Sequence, residues 1–170
     1  MPTPSRNQNN APTQAKPTQA NQPENLQTMT FLDADALIVA FHEAFRGIVQ
    51  EADDLLAMQR LGRSHHKVLF YVARHSNCRT VDVQAFVGVS RQALQRPIAD
   101  LHRLGLIETL VSPQNRRTHL LRLAEPGRQL EREATELIQR HFREVFAGLS
   151  SNKVDAWLSI TRALAKSVSG

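Results

Sequence analysis

The chain has 170 residues, of which 41% are hydrophobic, and its formal net charge is +5. This length favours one compact domain, and the single cysteine, Cys78, excludes an intrachain disulfide and fits a reducing cytosol. No apolar run approaches the roughly 18 residues that a membrane span needs, so the sequence predicts a cytoplasmic protein with no membrane partner.

Residues 1–30 are rich in Pro, Thr, Asn and Gln and contain no Val, Ile or Phe. A segment with so little to bury cannot offset the entropy lost on ordering, so we expect a disordered tail there. A passive leader and a functional tail are both compatible with this composition. The single folded domain is predicted to span residues 31–170.

The first two predicted elements are amphipathic helices. Apolar residues recur at three- and four-residue steps from Leu37, including Phe41 and Phe45, which predicts a long helix ending at residues 60–62. Ser64 is the predicted cap of a second helix, from His65 to about Ser76. Its inner face is predicted to comprise Val68, Leu69, Val72 and Ala73.

A short third helix and a turn come next. Thr80 is predicted to cap a helix over residues 81–86, after which Gly88 supplies a turn. Ser90 then stands in a suitable position to be the N-cap of a fourth helix.

The fourth predicted helix has two different faces. Its apolar face contains Leu94, Ile98, Leu101 and Leu104, and its polar face contains Gln92, Gln95, Arg96, Ala99 and Arg103. Pro97 lies in its middle, where it removes one backbone hydrogen bond and clashes with the carbonyl of Ala93. Two interpretations remain open: the helix is kinked near residues 93–96, or it begins late or with a tight turn.

The remaining elements are a hairpin and two helices. Two β-rich runs, over residues 107–111 and 119–123, flank a polar loop that carries Asn115, Arg116 and Arg117 at its tip. Helical periodicity then predicts helices over residues 128–149 and 152–168. Their inner faces are predicted to comprise Leu130, Leu137, Ile138, Phe142 and Val145 in the former, and Val154, Trp157, Leu158, Thr161 and Leu164 in the latter.

Three short helices followed by a hairpin form a winged helix-turn-helix, whose last helix enters the DNA major groove with its first residues facing base edges. Arginine can bridge guanine O6 and N7, and glutamine can bridge adenine N6 and N7. The predicted DNA-binding residues are Ser90, Arg91, Gln92, Gln95 and Arg96 on the helix, with Asn115, Arg116 and Arg117 on the wing. Six arginines and two acids between Val89 and Leu123 support this reading, although a solvated basic face is the plain alternative.

Three segments resemble a known family. NRRTHLLRLAEPG places Arg117, Leu123 and Gly127 at the spacing of a wing motif, Asp-x-Arg followed by Leu-Thr-x-x-Gly. LHRLGLIE resembles the end of that family's recognition helix, and LGRSHHKVL with SRQALQRPI resembles a subgroup with paired histidines. By these segments the chain resembles a MarR-type transcriptional regulator over roughly residues 33–168.

Two positions depart from the family pattern. Asn115 stands where aspartate is usual, and it can accept a hydrogen bond but brings no charge, so we expect a looser wing. Ala124 stands where threonine is usual, which removes a helix cap worth ~1 kcal/mol. Pro126 in the first helical turn partly compensates, because its absent N–H is not needed there.

The resemblance implies a mostly α fold with a small β-wing, in which residues 31–60 and 126–170 form dimerisation helices and residues 64–123 form the winged helix. It further implies a homodimer on a pseudo-palindromic double-stranded operator, most often a repressor, whose DNA affinity changes when a small-molecule effector fills a cleft. The residues predicted to line that cleft are Phe41, Phe45, His66, Phe70 and Leu130. The same residues are equally suited to an ordinary core.

Other classes of function have less support. A winged helix that lost operator recognition and binds an acidic protein partner is the alternative reading of the basic face. No catalytic arrangement or phosphate-binding glycine loop is present, so no enzyme and no cofactor are predicted. His65 and His66 are adjacent and point about 100 degrees apart on a helix, which does not favour a metal site.

Overall fold

The computed structural model describes residues 31–166, with side chains from residue 34 onward. The predicted tail over residues 1–30 and the predicted end of the last helix at residue 168 lie outside the described residues. The described residues divide into two units, residues 31–39 and 40–166. The described part of the first unit is the beginning of one helix, where Leu37 and Ile38 are exposed.

The described residues form helices and one small antiparallel sheet, which confirms the predicted mostly α fold with a β-wing. In chain order the elements are α1 Phe31–Ala57, α2 Arg63–Arg74, β1 Cys78–Arg79, α3 Thr80–Val87, α4 Arg91–Arg103, β2 Ile107–Val111, β3 His119–Leu123, α5 Glu125–Ala147 and α6 Ser151–Lys166. No helix among residues 31–166 combines the length and the apolar character that a membrane span needs.

The predicted cap of α2 is wrong. Ser64 lies inside the helix, and the N-cap is Gly62. Nδ1 of His65, the third residue of the helix, accepts the backbone N–H of Gly62 at 3.0 Å. This hydrogen bond satisfies the backbone donor of the N-cap residue.

The predicted cap of α3 is also wrong. Thr80 is the first helical residue rather than the cap, and the N-cap is Arg79. The carboxylate of Asp82 accepts the backbone N–H of Arg79 at 3.1 Å, and it also pairs with the Arg79 guanidinium. An acidic side chain in the first turn therefore replaces the predicted hydroxyl.

The predicted signals around α4 are confirmed. Gly88 ends α3 in the left-handed region, with φ of 74°, and the Ser90 hydroxyl accepts the Ala93 N–H at 3.2 Å. The helix begins at Arg91 and continues through Pro97, so the prediction of a late start is wrong. Pro97 is buried on the inner face with Leu94 and Leu101, where its ring adds to the core.

The hairpin has the predicted bounds, and the sheet contains one strand that the sequence did not predict. Strand order is β1-β3-β2, with Ile107 opposite Leu123 and Cys78 opposite Leu121. A two-residue strand has no periodicity to recognise, so only its partner reveals β1. The core beneath the sheet draws on α1, α2, α3, α4 and α5, and its most completely buried side chains are Leu56, Leu69, Leu94, Leu101, Val68, Val72 and Val83.

Parts of the predicted inner faces of α1, α4, α5 and α6 are exposed. On α1, Phe41 and Phe45 are 61% and 49% exposed, whereas Ala52 and Leu56 are buried. The predicted inward positions Val145, Trp157 and Leu164 are 50%, 40% and 57% exposed, and Leu104, at the end of α4, is 36% exposed. None of the described residues of α6 is buried. Periodicity identified the apolar side of each helix correctly, but it does not show whether one chain supplies anything to cover that side.

Candidate nucleic-acid interface

The outer face of α4 carries the polar residues that the sequence predicted. Arg91, Gln92, Gln95 and Arg96 are all exposed, because burial of the opposite face in the core orients the helix. The Ser90 cap determines where the helix begins and therefore directs its first turn outward.

The groups on this face differ in whether they already have partners. Within residues 34–166, the side chains of Arg91, Gln92 and Gln95 make no hydrogen bond or ion pair, so their donors and acceptors face solvent. Arg96 instead lies near Asp100, with Nε 3.8 Å from the carboxylate. A groove between α3 and α4 runs beside these residues and is lined by Thr80, Val81, Gln84, Arg91, Leu94, Gln95, Ile98, Ala99 and His102.

Asp100 has the strongest electrostatic surroundings on α4. Its carboxylate accepts a hydrogen bond from Arg103 at 3.1 Å and lies 3.5 Å from Nε2 of His65 on α2. The Arg103 guanidinium, and after it His65, lower the pKa of Asp100 from its ordinary value. The carboxylate is therefore ionised at neutral pH.

The wing tip is organised by Asn115. Its side-chain oxygen accepts the Arg117 N–H at 2.9 Å, and its backbone carbonyl accepts the Thr118 N–H at 2.8 Å. Asparagine thus makes the local turn without the charge of an aspartate. Arg116 and Arg117 are exposed and have no carboxylate partner within the described part of the chain. Among the described residues, no hydrogen bond or ion pair joins these two arginines to α4.

The structure brings together only part of the predicted ligand cleft. His66 and Phe70 pack edge to face with ring centroids 6.3 Å apart, and Leu130 is buried in the core. Phe45 lies under the Arg63 guanidinium at 5.5 Å, and Phe41 is exposed. The described cavities around α5 are lined by other residues.

His66 is a buried imidazole with an unsatisfied nitrogen. Its Nε2 has no hydrogen-bond partner among the described residues, and the side chain is 5% exposed. Burial, and secondarily the Arg63 charge, lower the pKa of His66 from 6.5. The ring is therefore neutral at physiological pH.

A charged group beside this cleft was missed by the sequence reasoning. Arg74 pairs with the buried carboxylate of Glu131 at 2.7 Å and lies over the Phe70 ring at 3.4 Å. The Thr135 hydroxyl donates to the same carboxylate at 2.6 Å. The available signal was the position of Glu131 and Thr135 beside Leu130 and Ala134, on the buried face of α5. Among the described residues, no group of three or more histidine, cysteine or acidic side chains is arranged to hold a metal ion.

Comparison with known proteins identifies the arrangement. A model of the MarR family matches residues 61–118, which run from the start of α2 to the wing tip. The HTH-type transcriptional regulator PetP of Rhodobacter capsulatus is 28% identical over 141 residues, covering 81% of this chain and 85% of PetP. Over residues 61–118 the chain is therefore similar to the MarR family. The family match contains every predicted DNA-binding residue.

Solved structures share the fold of this chain. FabT of Streptococcus pneumoniae, in complex with DNA, has a TM-score of 0.71 at 16% identity, covering 81% of this chain and 98% of FabT. The transcriptional repressor CouR, bound to a 23-mer DNA duplex, has a TM-score of 0.63 at 23% identity, with 78% and 94% covered. NadR, in complex with 4-hydroxyphenylacetate, has a TM-score of 0.62 at 16% identity, with 89% and 99% covered.

Proposed function

We propose that this protein is a MarR-type transcriptional regulator: a cytoplasmic homodimer, acting as a repressor, that binds a specific double-stranded operator and responds to a small-molecule effector. The observation that carries the proposal is the outer face of α4, where Arg91, Gln92 and Gln95 have no partners within the described residues. Such groups read guanine and adenine edges in the major groove. Arg116 and Arg117 on the wing supply charge for phosphates or for an adjacent minor groove.

Exposed apolar side chains support the homodimer. Outside the winged helix they are large and numerous on α1, on α5 and α6 and in the turn between these two helices, and include Phe41, Phe45, Val145, Leu149, Trp157 and Ile160. A second copy of the chain would bury these apolar side chains. In this dimer, residues 31–60 and 126–170 form the dimerisation helices and residues 64–123 form the winged helix. A two-fold dimer presents two α4 helices to a pseudo-palindrome whose half-sites are ~10 bp apart.

The relatives support the same class of function. PetP is a transcriptional regulator, and the structures of FabT and CouR contain bound DNA. NadR is a structure with a small aromatic acid. We propose that an effector of this chain binds near His66 and Phe70, with Phe41, Phe45 and Leu130 as further lining residues. The effector can change DNA affinity only by as much as its own affinity differs between the two dimer conformations, one that binds DNA well and one that does not.

The test is fluorescence anisotropy of the purified protein on a labelled duplex from upstream of its own coding region, with a scrambled duplex as competitor. Arg117→Ala is expected to weaken binding to both duplexes and to reduce the salt slope by about 1, because it removes a phosphate contact. Gln95→Ala is expected to relax preference at one base position, at a loss of about 1–3 kcal/mol.

The matched control is Arg132→Ala. Arg132 is an exposed arginine on α5 whose guanidinium lies 3.6 Å from Glu125. Its replacement removes one positive charge, as Arg117→Ala does, without changing α4 or the wing. If the control and the two test variants all bind as the parent does, α4 and the wing are not the DNA-binding surface. Equal and weak binding of the parent to both duplexes would favour the protein-interaction reading of the winged helix.

A further inference from the structure

Asp100 is the only acid on α4, a helix that we propose to lie in a DNA groove. A carboxylate at such a surface repels phosphates, so its presence there needs a physical reason. Three cationic or proton-donating groups surround it. Arg103 donates at 3.1 Å, His65 Nε2 lies at 3.5 Å, and Arg96 Nε lies at 3.8 Å.

Asp100 has neighbours on α2 as well as on α4. Nδ1 of His65 accepts the Gly62 N–H at 3.0 Å, and Nε2 on the other side of the ring lies 3.5 Å from the Asp100 carboxylate without a hydrogen bond to it. The carboxylate is only 27% exposed, whereas Arg96 and Arg103 are 92% and 68% exposed. A semi-buried anion thus holds two exposed arginines from beneath.

The arginines around the proposed DNA-binding surface therefore form two classes. Arg91, Arg116 and Arg117 have no carboxylate partner within the described residues and are available to any polyanion. Arg96 and Arg103 share Asp100, whose carboxylate competes with phosphates for both guanidinium groups. Phosphate contacts supply most of the affinity for random DNA, whereas base-edge contacts separate one sequence from another.

We propose that Asp100 is a specificity-determining residue that withholds Arg96 and Arg103 from the phosphates of non-operator DNA. On a matching operator, base contacts by the first turns of α4 bring the backbone close enough for phosphates to replace Asp100 as partners of the two arginines. Random DNA lacks those base contacts, and the arginines stay on Asp100. The inference rests on the proposed DNA-binding function.

The experiment compares the parent with Asp100→Asn on operator and scrambled duplexes over a salt series. Each phosphate contact adds about 0.9 to the slope of log affinity against log salt, which is about eightfold between 1 M and 0.1 M. We expect Asp100→Asn to steepen the slope on the scrambled duplex by about 1–2, to bind it roughly eightfold or more tightly at low salt, and to lower the operator preference by a similar factor.

The matched control is Glu125→Gln. It also removes one carboxylate that pairs with an arginine, Arg128, at 2.7 Å, but it lies on α5. Both variants gain one unit of positive charge, so a general charge effect would move them equally. We expect the control to keep the operator preference and scrambled-duplex slope close to the parental values, and Asp100→Glu to recover much of the preference by restoring the charge.

A second pair of variants keeps Asp100 intact. Arg103→Gln removes an arginine that is already withheld, so the slope on the scrambled duplex should not change. Arg116→Gln removes an available arginine, so that slope should fall by about 0.9. Equal reductions in the two variants would contradict the proposal.

The remaining outcomes separate the inference from the proposed function. If the parent prefers the operator and Asp100→Asn changes neither slope nor preference, only the role of Asp100 is wrong. If Asp100→Asn melts earlier and binds both duplexes more weakly, Asp100 is a structural link between α2 and α4. If the parent binds both duplexes equally, the proposed function fails and the role of Asp100 fails with it.

Discussion

Gly127 lies directly against the backbone at the base of the wing, and we predict that Gly127→Ala destabilises the protein. A Cβ atom at this position would be 1.9 Å from the Leu106 carbonyl oxygen and 2.8 Å from its carbon. That oxygen accepts the Ala124 N–H at 3.0 Å, so it cannot move away without weakening the contact that joins α5 to the start of β2.

The magnitude follows from three effects. Overpacking against backbone costs ~1–3 kcal/mol, and the weakened hydrogen bond adds ~1 kcal/mol. The better helix propensity of alanine returns ~1 kcal/mol. The free energy of unfolding should therefore fall by ~1–3 kcal/mol, which for a chain of this length lowers Tm by about 2–4 °C per kcal/mol.

Urea and thermal unfolding followed by circular dichroism measure this loss, at one fixed protein concentration because a dimer's stability depends on it. The control is Gly148→Ala, at the end of α5, where an added Cβ meets no atom within 4 Å. We expect the control to unfold like the parent. A Gly127→Ala protein as stable as the parent would refute the argument that the wing motif contains glycine for steric reasons.

Two further predictions concern titratable groups. Because the pKa of folded His66 is lowered from 6.5, the unfolded chain binds a proton that the native state resists, so stability is lost as pH falls below about 6.5. His66→Gln should reduce the dependence of the urea midpoint on pH between about pH 5 and 6.5. In this interval carboxylates with lowered pKa values, such as Asp82 and Asp100, remain ionised. A pH dependence equal to that of the parent would refute this prediction. Burial raises the pKa of the Cys78 thiol, so a thiol reagent should label the native protein slowly and the urea-unfolded protein fast, and rapid native labelling would contradict the burial of Cys78.

Where chemistry is local, the sequence predicted the structure well. Gly88 with its left-handed backbone, Ser90 with its capping hydroxyl, and the hairpin strands over residues 107–111 and 119–123 all have the predicted positions. Each of these features depends on interactions within a few residues, or on the alternation of side chains between the two faces of a strand. The family resemblance likewise rested on a short motif around Arg117 and Gly127, and the comparisons confirm it.

The caps of α2 and α3 were wrong although the contacts involved are local. The N-caps are Gly62 and Arg79, and their backbone N–H groups are bonded by His65 and Asp82, three residues later. Other features depend on which residues meet across the fold. Strand β1 exists only because β3 lies beside it. The predicted ligand cleft and DNA-binding residues stay predictions, and the structure shows their exposure and their neighbours.

The amino-acid sequence by itself determined the order of the elements, the polar face of α4 and the basic wing tip, because periodicity and turn chemistry are properties of neighbours along the chain. Only the tertiary structure decided that Asp100 draws Arg96, Arg103 and His65 together. It also decided that Glu131 is buried with Arg74. Ion pairs between helices depend on packing angles and distances, and those arise when separate apolar faces share one core.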